Sequence, residues 1–347
     1  KTGYIKIARF SNTTLTECRE ALDELKNEGM QNMVLDLSGN AGGYLFAAIK
    51  LADEFFGDRR LILYTQGEKN PRRNYYSSNN GRFTEGNIVV LIDELSASAS
   101  EIVSGALQDW DRAVIVGRRS FGKGLVQARF PLNDGSELRL TIAKYYTPSG
   151  RLIQKPYDEG FEEYSKDLLN RFKGGEYVSA DSIVFPDSLK YRTLIKNRIV
   201  YGGGGIMPDY FIPLDTADNT DYYRSLVRKG ILNQFILSYL DKNRKNLESK
   251  YPDFQTYNTG FEVTKELSSS LVSYAEEEGL DYNEEQFGLS EDKINLLLKA
   301  YIARDLWDST EFYQIFNKSN KSLDKAIEIL EDKSKYEAKL QPTLISD

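Results

Sequence analysis

Residues 88–108 read IVVLIDELSASASEIVSGALQ, and this segment sets the class of fold. Its first five residues are apolar and mostly β-branched, which predicts a buried strand over Ile88–Ile92. A turn rich in serine and alanine follows, and apolar residues then recur at helical spacing from Glu101 to Gln108. A strand, a tight turn and a helix in this order are the repeating unit of an α/β core.

The same alternation of strands and helices extends over residues 1–213. Upstream, strands are predicted at Tyr4–Ile7 and Met33–Leu37, and the turn Asn40-Ala41-Gly42-Gly43 leads into a helix. Further strands are predicted at Leu61–Tyr64, Ala113–Val116, Leu125–Phe130 and Glu137–Ala143. We therefore predict a layered α/β domain over residues 1–213.

The pattern becomes purely helical after the glycine run at 202–205 and Pro213. Two stretches carry apolar stripes at helical spacing and are expected to pack against other helices. The stripes are Ile294, Leu297, Leu298, Tyr301 and Ile302 in the first, and Leu323, Ala326, Ile327 and Leu330 in the second. The predicted helices are Tyr222–Tyr239, Thr264–Glu278, Glu291–Leu306 and Lys321–Glu331. We expect residues 214–347 to form an all-α C-terminal domain.

Composition excludes several classes of protein. The chain has 347 residues, 40% hydrophobic and 28% charged, with a net charge of −7 and no basic stretch, which argues against a nucleic-acid surface. No apolar run reaches the roughly 18 residues of a membrane-spanning helix, so no integral membrane segment is predicted. A single cysteine, Cys18, allows no intrachain disulfide, and with no histidine a zinc site would consist almost entirely of carboxylates.

The absence of histidine also restricts catalysis. A serine hydrolase without imidazole needs another base, and an amine serves only when burial lowers its pKa from the ordinary value near ~10.4. Ser98 lies at the predicted start of a helix, where free N–H groups and the helix dipole stabilise an oxyanion. Lys123 lies between two glycines 25 residues later, as a Ser–Lys dyad would require.

Each of these features also has an ordinary explanation. Ser96 or Ser98 would serve equally as a plain helix cap, and most lysines in loops are simply solvated. Gly42 and Gly43 could supply only the positive φ that a strand–helix turn needs. The order of the serine turn, the strand at 113–116 and the Gly-Lys-Gly turn favours the catalytic interpretation, since neighbouring strand ends would bring Lys123 to Ser98.

Residues 87–127 closely resemble the C-terminal processing, or tail-specific, serine peptidases. The resemblance covers about residues 3–213 and includes segments 35–43 (LDLSGNAGG), 145–151 (YYTPSGR) and 205–209 (GIMPD) in the expected order. The family usually has arginine and proline where this chain has Ser38 and Ala41, which puts substrate contacts at that turn in question. The helical part resembles the C-terminal extension of long bacterial members more weakly.

The resemblance implies roles for individual residues. Ser98 aligns with the nucleophile, Lys123 with the general base and Gln127 with a residue that orients the lysine. The N–H groups of Ala99 and of Gly42 or Gly43 would form the oxyanion hole. Glu101 matches an acidic position that recurs in the family and would support the catalytic residues without contacting the substrate.

The resemblance also implies a spiral core of the ClpP/crotonase kind. It implies a serine endopeptidase without metal or other cofactor, acting through an acyl-enzyme on polypeptides with exposed apolar C-termini, in the periplasm or cell envelope of a bacterium. Family members normally carry a PDZ domain before the segment that begins here at Gly3, and residues 1–347 contain none. Self-association is left open.

Two other classes of function remain alternatives. A peptide-binding module that has lost catalysis would keep the fold, and a fluorophosphonate probe that labels Ser98 would argue against it. A crotonase-like acyl-CoA enzyme would need no lysine at position 123, and no acyl-CoA signature is evident.

Overall fold

A computed structural model describes residues 1–157 and 160–342, and they form two compact units. The first unit comprises Lys1–Pro213 together with the chain from Lys321 on, and the second comprises Leu214–Asn320. The predicted α/β architecture is confirmed, and so is a C-terminal region that is helical. The prediction of one all-α domain over residues 214–347 is wrong in its extent, because the chain from Lys321 on packs with the first unit.

The strands of the first unit form two main sheets and one small hairpin. Their bounds are β1 Thr2–Lys6, β2 Asn32–Asp36, β3 Leu61–Gln66, β4 Arg73–Tyr76, β5 Ile88–Ile92, β6 Val114–Gly117, β7 Leu125–Pro131, β8 Glu137–Tyr146, β9 Lys190–Arg192, β10 Ile199–Tyr201 and β11 Tyr210–Phe211. The first sheet has the order β1-β2-β5-β6-β11, and all of its pairs are parallel. The second has the order β4-β3-β8-β7 with antiparallel pairs, and β9 pairs with β10.

Twelve α-helices lie in the described residues. Their bounds are α1 Thr14–Asn27, α2 Leu45–Asp53, α3 Ala99–Asp109, α4 Gly160–Lys173, α5 Asp221–Arg228, α6 Ile231–Lys250, α7 Phe254–Gly260, α8 Lys265–Glu277, α9 Glu284–Leu306, α10 Ser309–Phe316, α11 Lys321–Glu331 and α12 Lys333–Lys339. Across residues 1–157 and 160–342, no helix combines the length and the apolar character that spanning a bilayer would take.

The parallel sheet is covered on both faces, as parallel sheets generally are. On one face Val90 and Ile115 belong to a core shared with α1, α2 and α3. On the other face Val89 and Leu91 pack with residues of α11 and α12. The Tyr336 hydroxyl reaches the backbone of Ile88, at 3.2 Å from its N and 3.1 Å from its O. The last helices therefore complete the core that supports β5.

The second unit is a helical bundle with its own core. The predicted apolar stripe of α9 is buried there, with Ile294, Leu298 and Ile302 fully enclosed. The predicted helix Tyr222–Tyr239 is instead two helices, α5 and α6, separated at Gly230, whose φ of 75° ends the first.

A buried ion pair fixes the loop after β8 to the end of α3. Arg151 and Asp109 are both fully buried, with 2.8 Å between Nη2 and Oδ1, and Arg151 also donates to Gln108 Oε1 at 2.7 Å. Arg151 Nη1 donates to the carbonyl oxygen of Tyr201 at 3.0 Å. The arginine thus holds three segments of the first unit together.

Replacing Arg151 by methionine is expected to lower the free energy of unfolding of the first unit by about 3–5 kcal/mol, because Asp109 is left as a buried charge without its cation. Urea unfolding followed by Trp110 fluorescence, in a background carrying Trp307→Phe, measures this. Arg9→Met, at an exposed position, is the matched control. A loss no larger than the control's would contradict the assigned role.

Candidate active site

The three serines of the turn between β5 and α3 lie in different environments. Ser96 is fully buried, and its hydroxyl donates to the carbonyl oxygen of Leu37 at 2.8 Å. Ser100 is also fully buried, and its hydroxyl donates to the carbonyl oxygen of Asn40 at 2.8 Å. Ser98 is partly exposed. Of these three hydroxyls, that of Ser98 is the one placed to meet a substrate.

The backbone of Ser98 is strained. It has φ 55° and ψ −107°, immediately before the first residue of α3. A conformation of this kind costs about 1–3 kcal/mol and persists only where its surroundings impose it. Here the Ser98 N–H donates to Glu101 Oε2 at 2.8 Å. The sharp turn presents the side chain at the positive end of the α3 dipole.

The side chain and carbonyl of Asn40 join the glycine turn to the serine turn. Asn40 is fully buried, and its carbonyl oxygen accepts from the Ala97 N–H at 3.0 Å as well as from Ser100. Its side-chain amide donates to the Ile7 carbonyl at 2.6 Å, and Oδ1 accepts from the Gly42 N–H at 2.8 Å. Asn40 is a site residue that the sequence patterns did not predict, and its only signal is an Asn two positions before the glycine pair.

Gly42 lies against the predicted nucleophile. A β-carbon at Gly42 would fall 2.9 Å from Ser98 Cβ and 3.0 Å from the Ala99 nitrogen, and its φ is +97°. Only glycine fits there, because backbone conformation and space both exclude a side chain. The N–H groups of Gly43 and Ala99 have no hydrogen-bond acceptor in the part of the chain that the structure describes. In the described residues the N–H groups of Gly43 and Ala99 are therefore free, whereas the Gly42 N–H donates to Asn40 Oδ1.

The carboxylate of Glu101 organises the turn that carries Lys123. Its Oε1 accepts from the Ser120 hydroxyl at 2.5 Å and from the Gly122 N–H at 2.6 Å. Its Oε2 accepts from the Lys123 N–H at 2.9 Å and from Ser98 as described. Complete burial raises the pKa of Glu101, whereas these four hydrogen bonds lower it in part. One carboxylate thus fixes the backbones of both Ser98 and Lys123.

Tyr145 connects the same two backbones from another side. Its hydroxyl lies 2.5 Å from the carbonyl oxygen of Lys123 and 3.1 Å from that of Ser98. Burial raises the pKa of the Tyr145 phenol well above its ordinary value, and the nearby Glu101 adds to this, so the hydroxyl keeps the proton it donates. Tyr145 lies in segment 145–151, which carries part of the resemblance, but the sequence predicts no role for it.

The side chains of Lys123 and Gln127 are less constrained. Lys123 is half-buried, and its Nζ makes no hydrogen bond or ion pair within residues 1–157 and 160–342. Gln127 is exposed on β7, beside an irregularity in strand register between Val126 and Gln127. The structure brings the backbones of Ser98 and Lys123 together, and in the described residues the lysine amine has no partner.

Two family models match separate parts of the chain. Residues 1–162 match the model described as peptidase family S41, and residues 222–308 match a model described as a family of unknown function, DUF8443. The first match ends beyond Tyr145, so it includes every residue of the site described above.

Several curated proteins are similar to the first unit. The chloroplastic carboxyl-terminal-processing peptidase 3 of Arabidopsis thaliana is 41% identical over 149 residues, which cover 43% of this chain and 29% of that protein. A carboxyl-terminal-processing protease of a Picosynechococcus strain is 42% identical over 155 residues, covering 45% and 37%. The chain thus spans little more than a third, at most, of these relatives.

A solved structure, titled photosystem II D1 C-terminal processing protease, is also similar. It is 36% identical to this chain with a TM-score of 0.41, and the match covers 44% of this chain and 39% of that one.

Proposed function

We propose that this chain, whose residues 1–162 match the model of peptidase family S41, is a serine endopeptidase that processes polypeptides at their C-terminal ends. The observation that carries the proposal is the double connection between the backbones of Ser98 and Lys123 through Glu101 and Tyr145. A single partly exposed serine and a lysine with a free amine are held together in a chain that contains no histidine.

In the proposed reaction Lys123, as the neutral amine, takes the proton of the Ser98 hydroxyl while Oγ attacks the peptide carbonyl carbon. The tetrahedral intermediate collapses as the carbon–nitrogen bond breaks, and the lysine returns the proton to the leaving amine. Water, deprotonated by the same lysine, then attacks the ester carbonyl carbon; the bond from that carbon to Ser98 Oγ breaks, the lysine returns the proton to Oγ, and the new carboxyl terminus leaves. Each proton removed is returned, so the reaction needs no cofactor.

The oxyanion of both tetrahedral intermediates is assigned to the N–H groups of Ala99 and Gly43. These two donors are free in the described residues, and Ala99 is the first residue of α3. Gly42 contributes by its small size, since it lets the turn approach Ser98. By the resemblance Gln127 would orient the lysine from β7, although no hydrogen bond joins the two side chains in the described residues, and Glu101 positions both turns.

The substrates proposed are polypeptides with exposed apolar C-termini, which bind as an extended strand. The proposed location is the periplasm or cell envelope of a bacterium, where processing proteases meet unfolded chains. Homo-oligomer formation is compatible with this role, and the sedimentation coefficient of the active chain would measure it.

The first test is cleavage of casein together with labelling by a fluorophosphonate probe. The parent chain is expected to cleave and to be labelled at Ser98, whereas Ser98→Ala should do neither. Ser104→Ala, a buried position in the same helix, is the matched control and should behave like the parent. An unlabelled, inert parent chain that still binds apolar peptides would favour a peptide-binding module instead.

Replacing Tyr145 by phenylalanine is expected to lower kcat about tenfold, with a loss of about 1 kcal/mol in the free energy of unfolding. Two buried carbonyl groups lose their donor, and the two turns are held by Glu101 alone. Tyr177→Phe, which removes a hydroxyl bound to the Leu168 carbonyl at 3.1 Å, is the control for stability. An unchanged kcat would exclude a positioning role for Tyr145.

A further inference from the structure

Exposed aromatic residues begin directly after the glycine pair of the site. Tyr44 precedes α2 and is 46% exposed, and Phe46 in its first turn is 57% exposed. Tyr44 and Phe46 follow Gly42 by two and four residues along the chain, and Gly42 lies against Ser98. Large apolar side chains left in solvent so near a reactive group need an explanation beyond packing.

These rings contact side chains of both edge strands of the antiparallel sheet. The Arg129 guanidinium on β7 lies 5.8 Å from the centre of the Tyr44 ring. On β4, the Tyr75 ring meets Phe46 edge-on at 6.2 Å, and the Arg73 guanidinium lies 5.2 Å from the centre of the Tyr75 ring. We refer to Tyr44, Phe46, Arg73, Tyr75 and Arg129 as the cationic rim.

Strand register places Arg73 on the sheet face that carries Tyr145. Directly paired residues share a face, and Arg73 pairs with Thr65, which pairs with Tyr145. Arg129 belongs to the rim through its contact with the Tyr44 ring and not through register, because an extra residue of β8 between the pairs Val126–Ala143 and Gln127–Thr141 shifts the alternation. The Tyr145 hydroxyl reaches Ser98, so this is the face of the sheet directed at the site.

The rim carries unneutralised positive charge. Arg73 has no carboxylate within ion-pair distance in the described residues. Arg129 lies 3.6 Å from Glu137, which Arg139 approaches more closely, at 3.1 Å, so two guanidinium groups share one carboxylate. A guanidinium stacked on a ring keeps its in-plane N–H groups available, and these match a carboxylate. The excess is opposite in sign to the net charge of −7 of the whole chain.

We infer that the cationic rim binds a carboxylate of the extended polypeptide substrate, while Tyr44 and Phe46 contact its apolar side chains. This inference rests on the proposed function and narrows its substrate class to apolar segments that carry an acidic group. Arg129 is six residues from Lys123, so the acidic group lies within about six residues of the cleaved bond, at ~3.3 Å per extended residue. Either an aspartate or glutamate side chain or a free C-terminal carboxylate has the required chemistry.

The test uses one apolar fluorescent peptide in four forms, with Asp or Asn at a fixed position and a free or amidated C-terminus. Anisotropy measures binding to the Ser98→Ala chain, and cleavage is measured with the parent. The parent is expected to prefer the acidic forms about threefold to tenfold, a preference that weakens as salt rises. Arg73→Gln and Arg129→Gln, each introduced into both chains, should bring that ratio close to one.

Arg72→Gln is the matched control, because it removes the same charge one residue away. Arg72 stacks on Tyr64 at 3.7 Å, and Tyr64 lies on the opposite sheet face from Thr65. If Arg72→Gln lowers the preference as much as Arg73→Gln, or if neither rim variant lowers it, the inference is overturned. If amidation abolishes the preference, the group bound by the rim is the C-terminal carboxylate. If Asp→Asn in the peptide abolishes it, the bound group is a side-chain carboxylate.

The binding arm also separates this inference from the proposed function. If the chain discriminates among the four peptides in binding but cleaves none of them, the inference about the rim stands and the proposed peptidase function is wrong. A chain that cleaves all four equally, with equal binding, would retain the peptidase and refute the rim.

Discussion

Peptide cleavage is expected to fall by a factor of about 10³ or more when Lys123 is replaced by methionine, which keeps the length of the side chain and removes the amine. The chain has no histidine, so no imidazole can take over as the base. Because the backbone of Lys123 is held by Glu101 and Tyr145 rather than by its own side chain, the substitution should leave the fold intact.

The control for Lys123→Met is Lys144→Met, at an exposed position on β8 whose partner in register is Leu125. That variant should cleave at the rate of the parent. A folded Lys123→Met chain that retained a tenth of the parent rate would rule out the lysine as the base.

The second large effect is expected for Glu101→Gln, a change of one atom in a buried group. The amide keeps one acceptor oxygen and places an NH₂ group against donors that the carboxylate accepted. Two of the four hydrogen bonds are replaced by donor–donor contacts, which should cost about 3–5 kcal/mol of stability and lower kcat at least a hundredfold. Urea unfolding and steady-state cleavage measure the two losses separately.

Ser120→Ala gives a graded comparison for Glu101→Gln. It removes one donor to Glu101 and the acceptor of the Ile206 N–H at 2.6 Å, while the N–H groups of Ser98 and Lys123 keep their partner. We expect a loss of about 1–2 kcal/mol with a far smaller effect on kcat. If the two variants lost activity only in proportion to their unfolded fractions, Glu101 would be a structural residue and not a positioning one.

Local patterns of the sequence predict the elements that carry the site. The apolar run at 88–92, the small residues of the turn and the helical spacing after it predict β5 and α3 nearly to the residue. Strand signals likewise predict β7 and β8. These elements are recognisable because their hydrophobic pattern reflects burial along a single segment.

Roles that depend on contacts between distant segments were not predictable from the same patterns. Tyr145 is 47 residues from Ser98, and nothing in its neighbourhood indicates that its hydroxyl reaches that backbone. The choice between Gly42 and Gly43 as oxyanion donor depends on the side chain of Asn40. The apolar stripe of α11 predicts that this helix packs on other residues. It does not identify Val89 and Leu91 as the residues that the helix covers.

The covering of the parallel sheet by α11 and α12 has a consequence for biosynthesis. A nascent chain that has emerged only to residue 213 holds every residue of the site but leaves Val89, Leu91 and Val116 facing water on one side. Completion of that layer must await residues 321–340, which the ribosome adds after the whole second unit. The layer that covers this face of β5 therefore forms only after residues 214–320 have been synthesised.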